Sequence, residues 1–134
     1  MDNLSKLKRA YQRWHDTKGA DQKAWLDLMS DSVHIVSTGG ETRALAFAQE
    51  RRSKQEAAAY LASVLADWSM EHWTPEVFVA DSDTIAMFGR CAWTHKRTGK
   101  RAEVSISHLW QFDNGEVVAL TEIFDTARAI AAAS

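Results

Sequence analysis

The chain predicts an α+β domain in which helices come first and an antiparallel sheet follows. Three observations carry this. Apolar residues in the N-terminal part recur at steps of three and four, the spacing of one helix face. From Ser69 onward the apolar period falls to two, the spacing of half-buried strands. Those runs are separated by the short turn signals ADSD, KRTGK and DNG. Helices laid on one side of an antiparallel sheet let each layer bury its apolar face.

The elements follow in order. Leu4, Leu7, Tyr11 and Trp14 form one apolar stripe, and Gly19 supplies the helix stop. A second, short helix begins after Asp21 and turns Trp25, Leu26 and Leu28 or Met29 inward. SDSVHIVSTGG reads as a first strand, with Val33, Ile35 and Ser37 alternating against His34, Val36 and Thr38 before two glycines. Residues 41–52 (ETRALAFAQERR) have no clear period and read as a covering segment. SKQE at 53–56 is a capping box, in which Ser53 accepts from the amide of Glu56 and Glu56 reaches back. The helix it opens carries Tyr60, Leu61, Val64, Leu65 and Trp68 at helical spacing. Strands are expected near 70–80, 84–96, 102–112 and 116–124, and Pro75 puts the first of these at an edge or a bulge. Asp125 caps a last short helix, TARAIAAAS.

Composition narrows the function classes. The 134 residues fit a single domain, 1–134, with a real hydrophobic core. A formal charge of −2 gives no electrostatic case for nucleic acid or for an anionic membrane. No apolar run approaches the roughly 18–20 residues of a membrane helix, and MDNLSKLKRAYQRW lacks a signal-peptide apolar core. Cys91 is alone, so no intramolecular disulfide forms, and a cytoplasmic location is expected. Six Trp in so short a chain are many large rings to bury or to line a cavity with.

The stretch HLWQFDNGEVVALTEIFD, 108–125, holds the candidate chemistry. Its apolar pattern is broken by His108 and Glu122. Two loops could close this hairpin. A two-residue turn at Asn114-Gly115 pairs Asp113 with Glu116, opposes odd residues to even ones, and sends His108 and Glu122 to opposite faces. A three-residue loop, Asp113-Asn114-Gly115, pairs Phe112 with Glu116 and places even residues on one face. The even set (Val104, Ile106, His108, Trp110 and Phe112 against Val118, Leu120, Glu122 and Phe124) is the coherent apolar one, which favours the longer loop. On that register His108 opposes Leu120, with Glu122 one diagonal step away. A carboxylate on an apolar face needs a compensating partner, and an imidazole supplies one. The plain alternative is a hydrogen-bonded core histidine beside a glutamate that points to solvent.

Other candidates are weaker. His15, His34, His72, His95 and His108 show no spacing that would converge three or four metal ligands, so no metal is expected. Cys91, on a strand face with Met87 and Trp93, reads as core. Tyr11 and His15 lie four apart on one helix face and are placed at the pocket mouth. HKRTGKR, 95–101, reads as a solvated basic turn, and Gly39-Gly40 lacks the rest of a phosphate loop.

YQRWHDTKGADQKAWLDLMSDSV, SKQEAAAYLASVLADW and RTGKRAEVSISHLWQFDNGEVVALTEIFD together resemble the SnoaL-like branch of the nuclear-transport-factor-2-like superfamily, relatives of polyketide cyclases and ketosteroid isomerases. The resemblance runs over nearly the whole chain. It implies a cone of three N-terminal helices on a curved antiparallel sheet (the cystatin-like arrangement), enclosing an apolar pocket. It also implies a homodimer through the outer sheet face. His108 and Glu122 match the cyclases' pocket histidine and aspartate, with Glu one methylene longer. Tyr11 matches the isomerases' oxyanion tyrosine, but no carboxylate stands near Val36 or Ser37, where their base lies. The epoxide-hydrolase Arg/Asp set has no counterpart, since Arg90 is followed by Cys91, Ala92 and Trp93.

The resulting expectation is a cofactor-independent acid/base enzyme (isomerase, cyclase or dehydratase type) acting on a hydrophobic, ring-containing carbonyl compound. Glu122 moves the proton, His108 tunes it, and Tyr11 or a backbone amide holds an enolate-like oxygen. Tyr11, Trp14, Trp93, Trp110, Leu120 and Phe124 are expected to line the ligand pocket. The alternative is a small-molecule binding or structural dimer module without chemistry.

Overall fold

A computed structural model of the chain describes residues 1–40 and 42–134. Helix α1 (Asn3–Asp16) opens on the Asp2 carboxylate, which accepts from the Ser5 amide at 2.7 Å. Its buried stripe is Leu7, Ala10, Tyr11 and Trp14. Gly19 closes the turn beyond it at φ +87°, its amide donating to Trp14 O at 2.9 Å. Helix α2 (Lys23–Leu26) is a single turn that buries Trp25. Strand β1 (Met29–Ser37) buries Val33, Ile35 and Ser37 as its alternation predicts.

Within the stretch that has no sequence period, Ala46–Ala48 form a 3₁₀ turn and Arg51 bridges to Ile35 through paired backbone bonds; Glu41 lies outside the described residues. Helix α3 (Lys54–Asp67) begins at the expected capping box, Ser53 accepting from the Glu56 amide at 3.0 Å. Glu56 reaches back one residue further than Ser53, to the amide of Arg52. Trp68 does not continue this helix. Its backbone is extended, and it opens strand β2 (Trp68–Asp81).

Strands β3 (Thr84–His95), β4 (Arg101–Asp113) and β5 (Glu116–Phe124) complete a sheet of order β1-β5-β4-β3-β2. β2 to β5 run antiparallel, as expected, and β1 joins the sheet parallel to β5. β2 is an edge strand, and its register slips between Met70 and His72 and again between Pro75 and Val77. Pro75 thus sits both at an edge and beside a bulge, where its missing N–H costs no ladder bond.

The β4–β5 hairpin departs from both sequence alternatives. Asp113 pairs with Glu116, so the turn has two residues, and Asn114 (φ +50°) and Gly115 (φ +78°) both take the left-handed conformation it requires. Phe112 then pairs with Val117, but Gln111 pairs with Ala119, leaving Val118 as the extra residue of a bulge. That extra residue reverses the parity. Val117, not Val118, is buried next to the turn, and beyond the bulge Leu120 and Glu122 point inward. His108 lies directly opposite Glu122, and Leu120 opposes Trp110.

Helix α4 (Thr126–Ala133) is capped by Asp125 and packs Ala129, Ala132 and Ala133 inward. The basic turn after β3 is more than a solvated loop. The Arg97 guanidinium and Thr98 hydroxyl donate to the carbonyls of Ala133 and Ala132, and Lys100 Nζ donates to Ser134 O at 2.9 Å. Cationic donors at a helix C-terminus satisfy its free carbonyls and oppose its dipole. Among the described residues, no helix is long and apolar enough to cross a membrane.

Candidate functional site

Between the inner sheet face and the helices lies a cavity of about 850 Å³, its open mouth included. All six Trp of the chain contribute to its wall. Trp14, Trp93, Trp110, Leu120 and Phe124, expected to line a pocket, do so. At the sheet side the apolar wall is interrupted by His108 and Glu122, only 7% and 5% exposed.

The two form one buried pair, His108 Nε2 to Glu122 Oε2 at 2.8 Å. Glu122 accepts two further donors. Ser37 Oγ, from the end of β1, donates to Oε1 at 2.8 Å, and the Tyr60 hydroxyl from α3 straddles Oε1 and Oε2 at 3.1 and 3.0 Å. The cross-strand pair, the parallel β1 neighbour and a facing helix thus converge on one carboxylate.

Behind the wall the network continues. Tyr11 Oη lies 2.5 Å from His108 Nδ1 and accepts from Trp110 Nε1 at 2.8 Å. Tyr11 was expected to face the ligand, but it sits in the layer beneath, enclosed by Trp25, Trp73, Phe78 and Trp110. Its hydroxyl meets the imidazole, and the residue is not part of the cavity wall. His15 does not reach the mouth either; its Nδ1 accepts the Trp73 amide at 3.1 Å and fastens β2 to α1. The tyrosine that faces the cavity is Tyr60, which the sequence places only at helical spacing along α3. Its one available signal was the hydroxyl itself, which must find a partner when buried.

Burial pushes the Glu122 pKa up, but the hydrogen bond from His108 and the charge interaction with it, followed by the hydrogen bonds from Ser37 and Tyr60, hold the carboxyl below its usual range. Burial also drives Tyr60 well above the usual phenol range, and the negative charge of Glu122 adds to this, so Tyr60 stays a neutral donor. Cys91 lines the cavity with its thiol pushed up to about 12, chiefly by burial.

A carboxylate whose pKa folding depresses adds stability above its unfolded value, ordinarily 4.5, and loses it as pH falls through the lower folded value. Denaturant unfolding across this range should show the wild type weakening below about pH 5. Glu122→Gln should show a flatter acid limb, and equal slopes in the two proteins would contradict this.

Residues 7–120 match the SnoaL-like domain family. The chain belongs to this family. No match was found among curated proteins. The SnoaL-like chain is similar over its whole length to an NTF2-like protein of unknown function from Burkholderia pseudomallei, at 22% identity and TM-score 0.83, with 100% of this chain and 99% of the other covered. A candidate isomerase from Rhodopseudomonas palustris aligns at 19% identity and TM-score 0.81, covering 99% and 96%. A candidate SnoaL-like polyketide cyclase from Jannaschia aligns at 14% identity and TM-score 0.77, covering 98% and 91%. These likenesses establish the NTF2-like fold of the SnoaL-like chain: a curved, unclosed sheet wrapped by helices.

Proposed function

We propose that the protein is a cofactor-independent enzyme that transfers a proton on a hydrophobic, ring-containing carbonyl compound, as an isomerase, cyclase or dehydratase does. The observation that carries this reading is one carboxylate, held by three side-chain partners, at the wall of an otherwise apolar cavity. Neighbours of the same fold that are candidate isomerases and cyclases support it.

Glu122 acts as the base. When it takes a proton from carbon, its charge disappears and its hold on the surrounding donors weakens. Tyr60, which shares one hydroxyl proton between two carboxylate oxygens, is then free to turn that proton to the new enolate oxygen. This is the role expected, from the sequence, of Tyr11 or a backbone amide. His108 keeps Glu122 oriented, and Tyr11 keeps His108 oriented.

The test is deuterium exchange. Cyclic aryl ketones incubated with the protein in D₂O should gain deuterium beside the carbonyl faster than in buffer alone, read by NMR. Exchange at the buffer rate across the panel would leave a ligand-binding or structural module as the function.

We also propose a homodimer through the outer sheet face. Val79, Ala86, Leu109, Thr121 and Val36 form one row across all five strands, and Val77, Phe88, Ser107 and Ile123 form the next. Val77, Val79, Phe88 and Ile123 are each more than half exposed, a continuous apolar surface of the kind that marks an interface. Light scattering should give twice the chain mass for the wild type and a shift to monomer for Phe88→Glu. A wild-type monomer at micromolar concentration would refute it.

A further inference from the structure

The hydrogen bonds behind the cavity wall fix where each proton lies. An indole N–H only donates, so Tyr11 Oη accepts from Trp110, and the buried hydroxyl proton finds its acceptor when it points at His108 Nδ1. His108 therefore carries its proton on Nε2 and gives it to Glu122. A second proton on Nδ1 would turn that contact around and leave the buried Tyr11 hydroxyl proton without an acceptor. Glu122 is the acidic group at this end of the cavity, and it binds His108 through Nε2. Among the described residues lining the cavity there is no Lys or Arg, and the Cys91 thiol stays protonated.

The donors at this end are engaged as well. Ser37, Tyr60 and His108 direct their protons at Glu122. A ligand group arriving beside the carboxylate meets acceptor oxygens and indole rings, whose faces carry the negative part of the ring quadrupole. An anionic group beside Glu122 meets a like charge, and a neutral carbonyl oxygen there finds the Ser37 and Tyr60 protons already directed at the carboxylate. A soft, weakly hydrated cation finds both a counter-charge and aromatic walls.

We propose that the resting cavity is an aromatic cage for a hydrophobic organic cation, so that the ring-containing substrate carries a quaternary or protonated nitrogen that sits beside Glu122. This deepens the proton-transfer reading and rests on its assignment of Glu122 as the ionised pocket group, but it does not depend on turnover.

Three probes of nearly equal shape test it: benzyltrimethylammonium, its neutral isostere neopentylbenzene, and phenylmethanesulfonate. Binding is read from quenching of the tryptophan fluorescence and from the indole N–H signals. The ammonium should bind at least about tenfold more tightly than the neutral isostere, a difference of about 1.4 kcal/mol. The sulfonate should bind most weakly, and Glu122→Gln should erase most of the ammonium's advantage. Equal or tighter binding of either other probe overturns the proposal. So does an ammonium that moves neither signal up to about 10 mM, a concentration at which affinity is below about 3 kcal/mol. If neutral ketones exchange deuterium while the ammonium shows no preference, the acid/base reading stands and the cation cage falls. If the ammonium binds selectively and no ketone exchanges, the cage stands and the acid/base reading falls.

Discussion

Glu122→Gln is expected to slow enzyme-dependent deuterium exchange by about 10²- to 10⁴-fold, the usual contribution of a positioned general base. The amide keeps the shape of the carboxylate but has no basic oxygen pair. It also reverses part of the local hydrogen bonding. Ser37, Tyr60 and His108 all donate to Glu122, and Gln offers them one acceptor oxygen and two competing protons. The two hydroxyls can rotate toward other acceptors, whereas the His108 ring is held in place by Tyr11 on its other nitrogen. A stability loss of about 1–3 kcal/mol is therefore expected beside the kinetic one, and denaturant unfolding must confirm that the variant is folded under assay conditions. Glu122→Asp separates the two effects. It retains a carboxylate but withdraws it by one methylene from the imidazole, so it should recover part of the exchange rate that Gln loses. Exchange by folded Glu122→Gln within a few-fold of wild type would move the chemistry elsewhere in the cavity.

The route to that carboxylate was only partly legible in the sequence. The helix stripes, the capping box at Ser53 and the alternation of β4 were, because each is local and each repeats. The inward set of β4 from Val104 to Phe112 follows directly from period two. The register of β5 does not, because Val117 and Val118 are equally suited to the core and nothing local says which one the sheet takes. Period two allows two uniform registers; the chain adopts a two-residue turn and then a bulge, so the short turn and the shared face coexist. His108 and Glu122 were joined by reasoning within one hairpin. Ser37 and Tyr60 lie 85 and 62 residues from Glu122 in the chain, and only the parallel placement of β1 and the seat of α3 bring them to it. Tyr11 was identified as a polar group near the site, but the depth at which α1 settles decided that it supports the imidazole instead of touching a ligand.

Gly89 pairs with Pro75 beside the register slip of β2, and Gly89→Ala is expected to destabilise the protein by about 3 kcal/mol or more, at or above the top of the ordinary range for one added methyl group. A Cβ at this position would stand 2.4 Å from Thr74 O and 2.9 Å from Pro75 Cα, with Met87 Sδ at 3.2 Å. The first two are backbone atoms of the paired edge strand, so no side-chain rotation relieves the clash. Relief requires moving β2 away from β3 where Pro75 pairs with Gly89, next to the register slip that bends the edge strand. For a chain of this length the melting temperature should fall by about 10–15 °C. Gly99→Ala is the matched control. A Cβ there meets nothing within 4 Å, so only its φ of +71° opposes the change, at about 1–2 kcal/mol. The ordering of the two variants is the discriminating result, and a Gly89→Ala protein as stable as Gly99→Ala would mean that β2 yields freely. The damage should also reach the site, because the same stretch of β2 carries Trp73. That ring lines the cavity and packs on both Tyr11 and His108, with ring centroids 5.1 and 5.3 Å apart. A shifted β2 loosens the wall against which the imidazole is held, so in Gly89→Ala any enzyme-dependent exchange should fall even at temperatures where the chain remains folded.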